Sequence, residues 1–346
     1  MPDLTQAFST LTPDFVLDAL TSIGLIGDGR LMALNSYENR VYLAHLEPDT
    51  PLADQHPAVV VKFYRPGRWS EAQIDEEHAF SLELMAAEVP VVGPLSVRGR
   101  TRHAHAGFQF SVSPRRGGRS PELSDPETLE WIGRFLARLH SVGERSTFIH
   151  RPAIDLTSYG IEARDWLLSH GRLPLEVERP WADVSQQALE LIQGSGYFSS
   201  SENSEKRDIG TLRLHADCHA GNILWTPADL PGGGPHFVDM DDCRTGPAVQ
   251  DLWMLLSGER HDRQMQLGML LDGYEQMRDF DRRELSLIEP LRTLRLIHYS
   301  AWIARRWDDP AFPVAFSGFG TPDYWRGQIH ILTEQMEAMQ EPPLVA

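Results

Sequence analysis

Between Leu212 and Asp239 the chain twice drives an apolar strand into a carboxylate. Leu212-Arg213-Leu214 runs into His215-Ala216-Asp217, and Phe237-Val238 runs into Asp239, with Asn222 five positions beyond the first acid and seventeen before the second. Ile223-Leu224-Trp225 continues as a strand after Asn222, and Pro231-Gly232-Gly233-Gly234-Pro235 can only be a turn. Five residues let the backbone leave one strand and enter the next, so the oxygen-bearing side chains reach one cleft. This order suits transfer of a phosphoryl group to a hydroxyl. Asp217 accepts the hydroxyl proton late in the step, while Asn222 and Asp239 hold a magnesium ion against phosphate oxygens. Asp241 and Asp242 are near alternatives, and the apolar lead-in Phe237-Val238 favours Asp239 as the acid at the strand end. Two other readings compete. Asp and Asn are common turn formers, so the string also reads as two capped turns. His215-x-Asp217-x-His219 also reads as the start of a transition-metal site, which leaves Asn222 without a role.

Lys62 is the second anchor. It interrupts the apolar run from Ala58 to Tyr64, and strand alternation puts Val60, Lys62 and Tyr64 on one sheet face. A lysine inside an apolar strand is costly unless it is paired or snorkels from a sheet edge. Ser70-x-x-Gln73 reads as a capping box opening the next helix, which carries Glu77 as the chosen partner and Glu76 as a close second. Such a pair lets the ammonium bridge nucleotide phosphates to the helix. No Gly-x-Gly-x-x-Gly precedes the strand. In its place stands the polar turn Leu34-Asn35-Ser36-Tyr37-Glu38-Asn39-Arg40, where backbone amides and Ser36 would cover the phosphates. The absence of Gly-x-x-x-x-Gly-Lys-Ser/Thr excludes a P-loop enzyme.

Composition narrows the partners. The formal charge of −17 repels nucleic-acid backbones and anionic lipid, so neither is an expected partner. ATP is an anion too, so its site must supply its own cations, Lys62 and magnesium. Only two cysteines occur, Cys218 and Cys243, too few for a disulfide framework. No apolar run approaches the roughly 20 residues of a membrane span, and Met1 to Leu11 lacks the features of a signal peptide. A cytoplasmic protein is expected.

The elements divide in two. Thr12-Pro13-Asp14 caps a first helix. Strands are expected within Leu31–Phe63, over Val89–Val97 and over Gly107–Val112, with the Ser70 helix inserted, making a five-stranded first lobe over residues 1–112. A hinge is expected near Phe110–Ser113, and Ser113 to Gly118 reads as a linker. Residues 113–346 are then mostly helical, opened by Ser124-x-x-Glu127 and an apolar face of Leu129, Ile132, Leu136 and Leu139. Gly194–Gly210 reads as a mobile loop. Asp251 reads as a buried cap, His215 as a backbone prop for the loop, and Arg292, Arg295, Arg305 and Arg306 as surface ion-pairing residues, with the lining of an acceptor cleft as the alternative.

Asn35 to Tyr42, Val61-Lys62-Phe63-Tyr64-Arg65-Pro66, Glu76-Glu77-His78, Leu212 to Trp225 and Gly246 to Leu256 together resemble the bacterial stress response kinases. These are serine/threonine protein kinases of the aminoglycoside phosphotransferase-like, choline kinase-like superfamily, and the likeness runs nearly end to end. It implies an α+β bilobal fold, ATP and Mg2+, protein substrates with Ser/Thr acceptors, autophosphorylation, and a monomer acting in stress survival. Carried over by motif, Asp217 is the proton acceptor, Asn222 and Asp239 hold magnesium, and Ser36 belongs to the ATP site. Same-fold kinases acting on aminoglycosides, choline or homoserine, and a non-catalytic nucleotide-binding scaffold, are the rival readings. Ala216 departs from the family, which usually has Gly there. A methyl group is harmless at negative φ and strains the loop at positive φ.

Overall fold

The computed structural model describes residues 8–196 and 209–345. A helix, α1 (Pro13–Ser22), starts at Thr12, whose hydroxyl accepts from the Phe15 amide. Strands β1 (Gly27–Leu34), β2 (Arg40–Leu46) and β3 (Ala58–Phe63) follow, then α2 (Glu71–Ala86), β4 (Arg102–His105) and β5 (Phe108–Pro114). The strands form one antiparallel sheet in the order β1-β2-β3-β5-β4. Alternation divides its faces. Val59, Val61, Phe63, Phe110 and Val112 are buried under α1 with Val16, Ala19 and Leu20. Val60, Lys62 and Tyr64 face the cleft.

The second half contains α3 (Pro126–Gly143), α4 (Glu162–Ser169), α5 (Leu175–Gly194), β6 (Leu212–Leu214), β7 (Ile223–Thr226), β8 (Gly234–Phe237), β9 (Arg244–Gly246), α6 (Val249–Trp253), α7 (Arg260–Tyr274), α8 (Ile288–Arg305), α9 (Ala311–Ala315) and α10 (Pro322–Ala338). Two antiparallel ribbons, β6–β9 and β7–β8, carry the motif residues. Their apolar faces join Leu129, Ile132 and Leu136 of α3 in the helical core. Helix α2 divides its loyalties. Its capping box forms as expected, yet Phe80 and Leu84 pack into the helical core rather than under the sheet.

Several expectations are corrected. Val89–Val97 is an extended connector, not a strand of the sheet. Val92 donates to Phe237 O and Phe237 donates to Pro90 O, so the first part of the segment leans on β8, while Leu95 donates to Val112 O of β5 at 2.7 Å. The fifth strand is β4, a polar edge strand. The expected hinge at Phe110–Ser113 lies inside β5, which runs to Pro114. Helix α3 is capped by Asp125 rather than Ser124, because Pro126 takes the first helical position and the Asp125 carboxylate accepts from Thr128 N at 2.9 Å. Gly194–Gly210 lies for most of its length outside the described residues. Among the described residues no helix is long and apolar enough to cross a membrane.

Candidate active site

Lys62 sits mid-strand on β3, paired across to Val41 and Ser111. Its Nζ lies 3.2 Å from Glu77 Oε1, and 3.6 Å from both Asp239 Oδ1 and Asp241 Oδ1. Burial works against the ammonium charge, but Glu77, Asp241 and Asp239 more than offset it and hold the lysine well above its ordinary range. Glu77 is therefore the observed partner. Glu76, one residue earlier and about 100° around the helix, points elsewhere. Its carboxylate accepts the backbone N–H groups of Ile149, His150 and Arg151 at 2.6, 2.9 and 2.7 Å. Gln73 reaches the same segment by donating to His150 O. Helix α2 is thus stapled to the helical lobe one residue away from the ion pair.

Three acids follow β8, and their surroundings distinguish them. Arg68 binds both Asp241 and Asp242, and these arginine contacts lower both carboxyls despite burial. Among the described residues the Asp239 side chain has no arginine partner, and although it is 52% exposed its carboxyl is partly desolvated by the cleft around it. Burial of its carboxyl and the neighbouring Asp241, Asp242 and Asp217 charges push it up, with only Lys62 pulling down. A carboxylate crowded by like charges calls for a cation. Asp239 also takes a left-handed backbone, φ 59°, which turns the chain out of β8.

Asp217 lies in the loop after β6. Asn222 Nδ2 donates to its carbonyl at 3.0 Å and to its Oδ2 at 3.2 Å, while Val238 N donates to Asn222 O at 3.0 Å. The two loops are therefore bonded to each other, and Asn222 and Asp239 line one cavity. With Nδ2 committed to Asp217, Asn222 Oδ1 is the atom left for a cation. One amide oxygen and one crowded carboxylate beside a lysine fit magnesium, which takes few protein ligands and completes its shell with phosphate and water. The transition-metal alternative has no support: among the described residues no three His, Cys, Asp or Glu side chains are grouped to hold a metal.

The loop itself is anchored from below. Asp251, fully buried on α6, accepts His215 N at 2.9 Å, Ala216 N at 2.7 Å and the His140 ring at 3.1 Å. His215 donates from Nε2 to Val238 O at 2.9 Å, the prop expected of it. Ala216 has φ 68°, so the unfavourable branch of the expectation holds and its methyl is strained. Three bonds fix it there: its amide on Asp251, its carbonyl on Gln250 Nε2 at 3.0 Å, and the neighbouring His215 amide. Replacing Asp251 with Ala strands two buried amides, so we expect a loss of about 3 kcal/mol or more, read as a fall in Tm and in the chemical denaturation midpoint.

The cavity over these groups has a volume of about 380 Å³. Its lining mixes apolar residues, among them Val41, Val60, Leu224 and Met240, with polar ones, among them Ser36, Lys62, Glu77, Asn222 and Asp239. Such a mixed lining suits a nucleotide, whose planar base is apolar on its faces and whose phosphates need Lys62 and a cation. Ser36 lies in the turn between β1 and β2. Asn39 and Glu38 hold that turn to Arg65, by Arg65 N to Asn39 Oδ1 at 3.1 Å and Arg65 Nε to Glu38 O at 3.0 Å.

One contact escaped sequence reasoning, which grouped Arg295 with three other arginines and gave it no partner. Arg295, on α8, places Nη2 2.6 Å from Asp217 Oδ1. Nothing in its local sequence separates it from Arg292, which pairs with Glu289, or Arg306, which pairs with Glu38. Only the long-range contact shows that it touches the candidate base. Cys218 and Cys243 are free, buried and packed.

Comparison with known proteins agrees with this geometry. A model described as the phosphotransferase enzyme family matches residues 31–288. The chain is 44% identical over 344 residues to serine/threonine protein kinase RdoA of Salmonella typhimurium, covering 99% of this chain and 98% of the relative. It is equally 44% identical over 337 residues to stress response kinase A of Escherichia coli K12, covering 97% and 96%. Among solved structures, the amicoumacin kinase hAmiN bound to AMP-PNP, Ca2+ and Ami superposes with a TM-score of 0.69 at 18% identity, covering 96% of this chain and 94% of that one. A microcompartment-associated aminopropanol kinase gives 0.69 at 18% identity, covering 95% and 98%. Those two show the α+β bilobal fold. With a near full-length match at 44% identity and a family model spanning most of the sequence, this chain belongs to the phosphotransferase enzyme family.

Proposed function

We propose that this protein is an ATP- and Mg2+-dependent serine/threonine protein kinase, acting in a bacterial stress response like the relatives named above. The observation that carries the reading is the meeting of Asp217 and Asn222, 3.2 Å apart, with the Lys62–Glu77 pair and Asp239 across the cleft. Asp217 orients the acceptor hydroxyl and takes its proton. Lys62, held by Glu77, meets the nucleotide phosphates, and Ser36 with its turn covers them. Asn222 and Asp239 would hold magnesium, which supplies charge neutralisation on the phosphates when bound. Most of the acceleration is then positioning and electrostatics, because the loose transition state needs little covalent help. All the polar groups needed for turnover are present, which weighs against a passive scaffold.

The stretch between Asp239 and Val249 supports constitutive assembly. It holds a single hydroxyl, Thr245, in β9, paired to Arg213 and bonded through its amide to Pro152 O. A long phosphorylatable loop has no room. Protein made in a kinase-free system is expected to label generic protein or itself from γ-labelled ATP, in preference to amino alcohols, and Thr245→Ala to do so at a rate close to the parent. Enzyme that stays inert until Thr245 is phosphorylated overturns the constitutive part. Label found on amino alcohols instead of protein overturns the whole reading.

A further inference from the structure

Several carboxylates on the acceptor side of the molecule are already held by arginines. Glu38 is held by Arg65 at 3.0 Å, by Arg306 at 2.5 Å and by Trp302 Nε1 at 2.6 Å. Asp242 is held by Arg68 at 2.7 Å with Arg244 at 3.7 Å, and Asp309 by Arg65 at 2.5 Å and Arg40 at 3.0 Å. Asp217 itself carries Arg295 at 2.6 Å. Asp239 is the exception, and it faces Lys62 and the metal position. The aromatic groups of α8 are partly committed as well. Trp302 stacks on Tyr299 with ring centroids 5.5 Å apart, and the Arg306 guanidinium lies 5.2 Å from the Trp302 ring. Among the described residues, an ammonium entering beside the base therefore meets the Arg295 guanidinium and carboxylates already paired with arginine, and Tyr299, 41% exposed, is the aromatic surface left to it. Arg295 and Asp217 still keep 30% and 22% of their side-chain surface exposed, so an acceptor hydroxyl reaches both.

We propose that Arg295 is a specificity-determining residue: it excludes acceptors with a cation close to the reacting hydroxyl and admits serine or threonine flanked by neutral or acidic groups. This deepens the protein-kinase reading and rests on it. The argument is electrostatic. At about 5 Å and an effective dielectric of about 20, two like unit charges repel enough to change binding roughly a hundredfold. Water and salt in the half-open cleft reduce that to roughly tenfold. Removing the guanidinium also uncovers the Asp217 charge, which then attracts the same ammonium. Amino alcohols carry the cation two bonds from the hydroxyl carbon, inside that range. Specificity thus comes from a repulsive element as much as from an attractive one.

The test compares the parent enzyme with Arg295→Met and Arg295→Gln. The glutamine keeps an N–H donor near Asp217 and guards against misfolding of the first variant. Acceptors are a serine peptide with neutral neighbours, the same peptide with lysine on either side of the serine, and an amino alcohol. Ratios of kcat/KM within each protein cancel any general loss of turnover. Dissociation constants of the matching serine-to-alanine peptides give the same comparison where turnover is too low. The parent is expected to favour the neutral peptide by roughly tenfold, and both variants to bring the ratio down towards unity. A ratio unchanged in both variants, or no preference in the parent, overturns the role of Arg295 while leaving the kinase intact. A parent that prefers the amino alcohol over both peptides defeats the protein-kinase reading itself.

Discussion

Asp217→Asn is expected to lower turnover by about 10²–10⁴ while leaving nucleotide affinity nearly unchanged. The side chain keeps its size, so Asn222 and Arg295 retain a neighbour, but the group can no longer take a proton from the acceptor. The exchange leaves Arg295 without its ion pair. Both side chains are partly solvated, so this costs little stability. Steady-state phosphoryl transfer, set beside ATP binding with and without magnesium, separates the two effects. Turnover that survives the change removes Asp217 from the mechanism. Loss of magnesium-dependent binding along with turnover would place Asp217 among the metal's supports instead.

Lys62→Met should act on both catalysis and stability. The ammonium is the shared partner of Glu77, Asp239 and Asp241, and Glu77 and Asp241 are only 5% and 4% exposed. Removing one member of a buried pair leaves an uncompensated charge, at a cost of about 3–5 kcal/mol. Asp239 reaches water and Asp241 keeps Arg68, so the low end applies. Burial already raises the Glu77 carboxyl, and losing the lysine raises it further. A group whose folded pKa lies above its unfolded value contributes stability that is complete below the unfolded value and fades as pH rises through the folded one. The deficit of Lys62→Met should therefore be largest near neutral pH and shrink as pH falls towards the ordinary glutamate range. Adding Glu77→Gln should restore part of the stability without restoring ATP binding. Chemical denaturation at two pH values checks the first expectation. Additive losses in the double variant would show that the two side chains do not depend on each other.

Much of the site was legible because its chemistry is local. Asp217, Asn222 and Asp239 lie in the loops of two adjoining ribbons, and Lys62 announces itself by breaking an apolar strand. Where the reading failed, the determinant was long-range. Val89, Val91 and Val97 imitate strand alternation, yet Val89 and Val91 are buried in the helical core and Val97 in the separate core of the first lobe. The true edge strand, Arg102 to His105, is polar because an edge needs no apolar pattern to be held. Glu76 and Glu77 differ only in helical phase, which sequence sets to within a residue and no better. Arg295 meets Asp217 across 78 positions of chain, so no window around either residue reveals the contact. The hazard at Ala216 was foreseen in its conditional form, and only the backbone could say which branch applied.

Helix α2 gives Phe80 and Leu84 to the helical half, and it is tied to the sheet by polar contacts: Lys62 to Glu77, Tyr64 to His78 at 2.7 Å, and Arg102 to Asp75 at 2.6 Å. Grease resists parting, whereas polar bonds can be traded one by one for water at modest net expense. If the mouth of the enzyme gapes to exchange nucleotide, the sheet should swing as a flap over a stationary helix. The gap between ammonium and carboxylate would then act as a gauge of aperture, widening as ADP departs and narrowing as the next triphosphate seats.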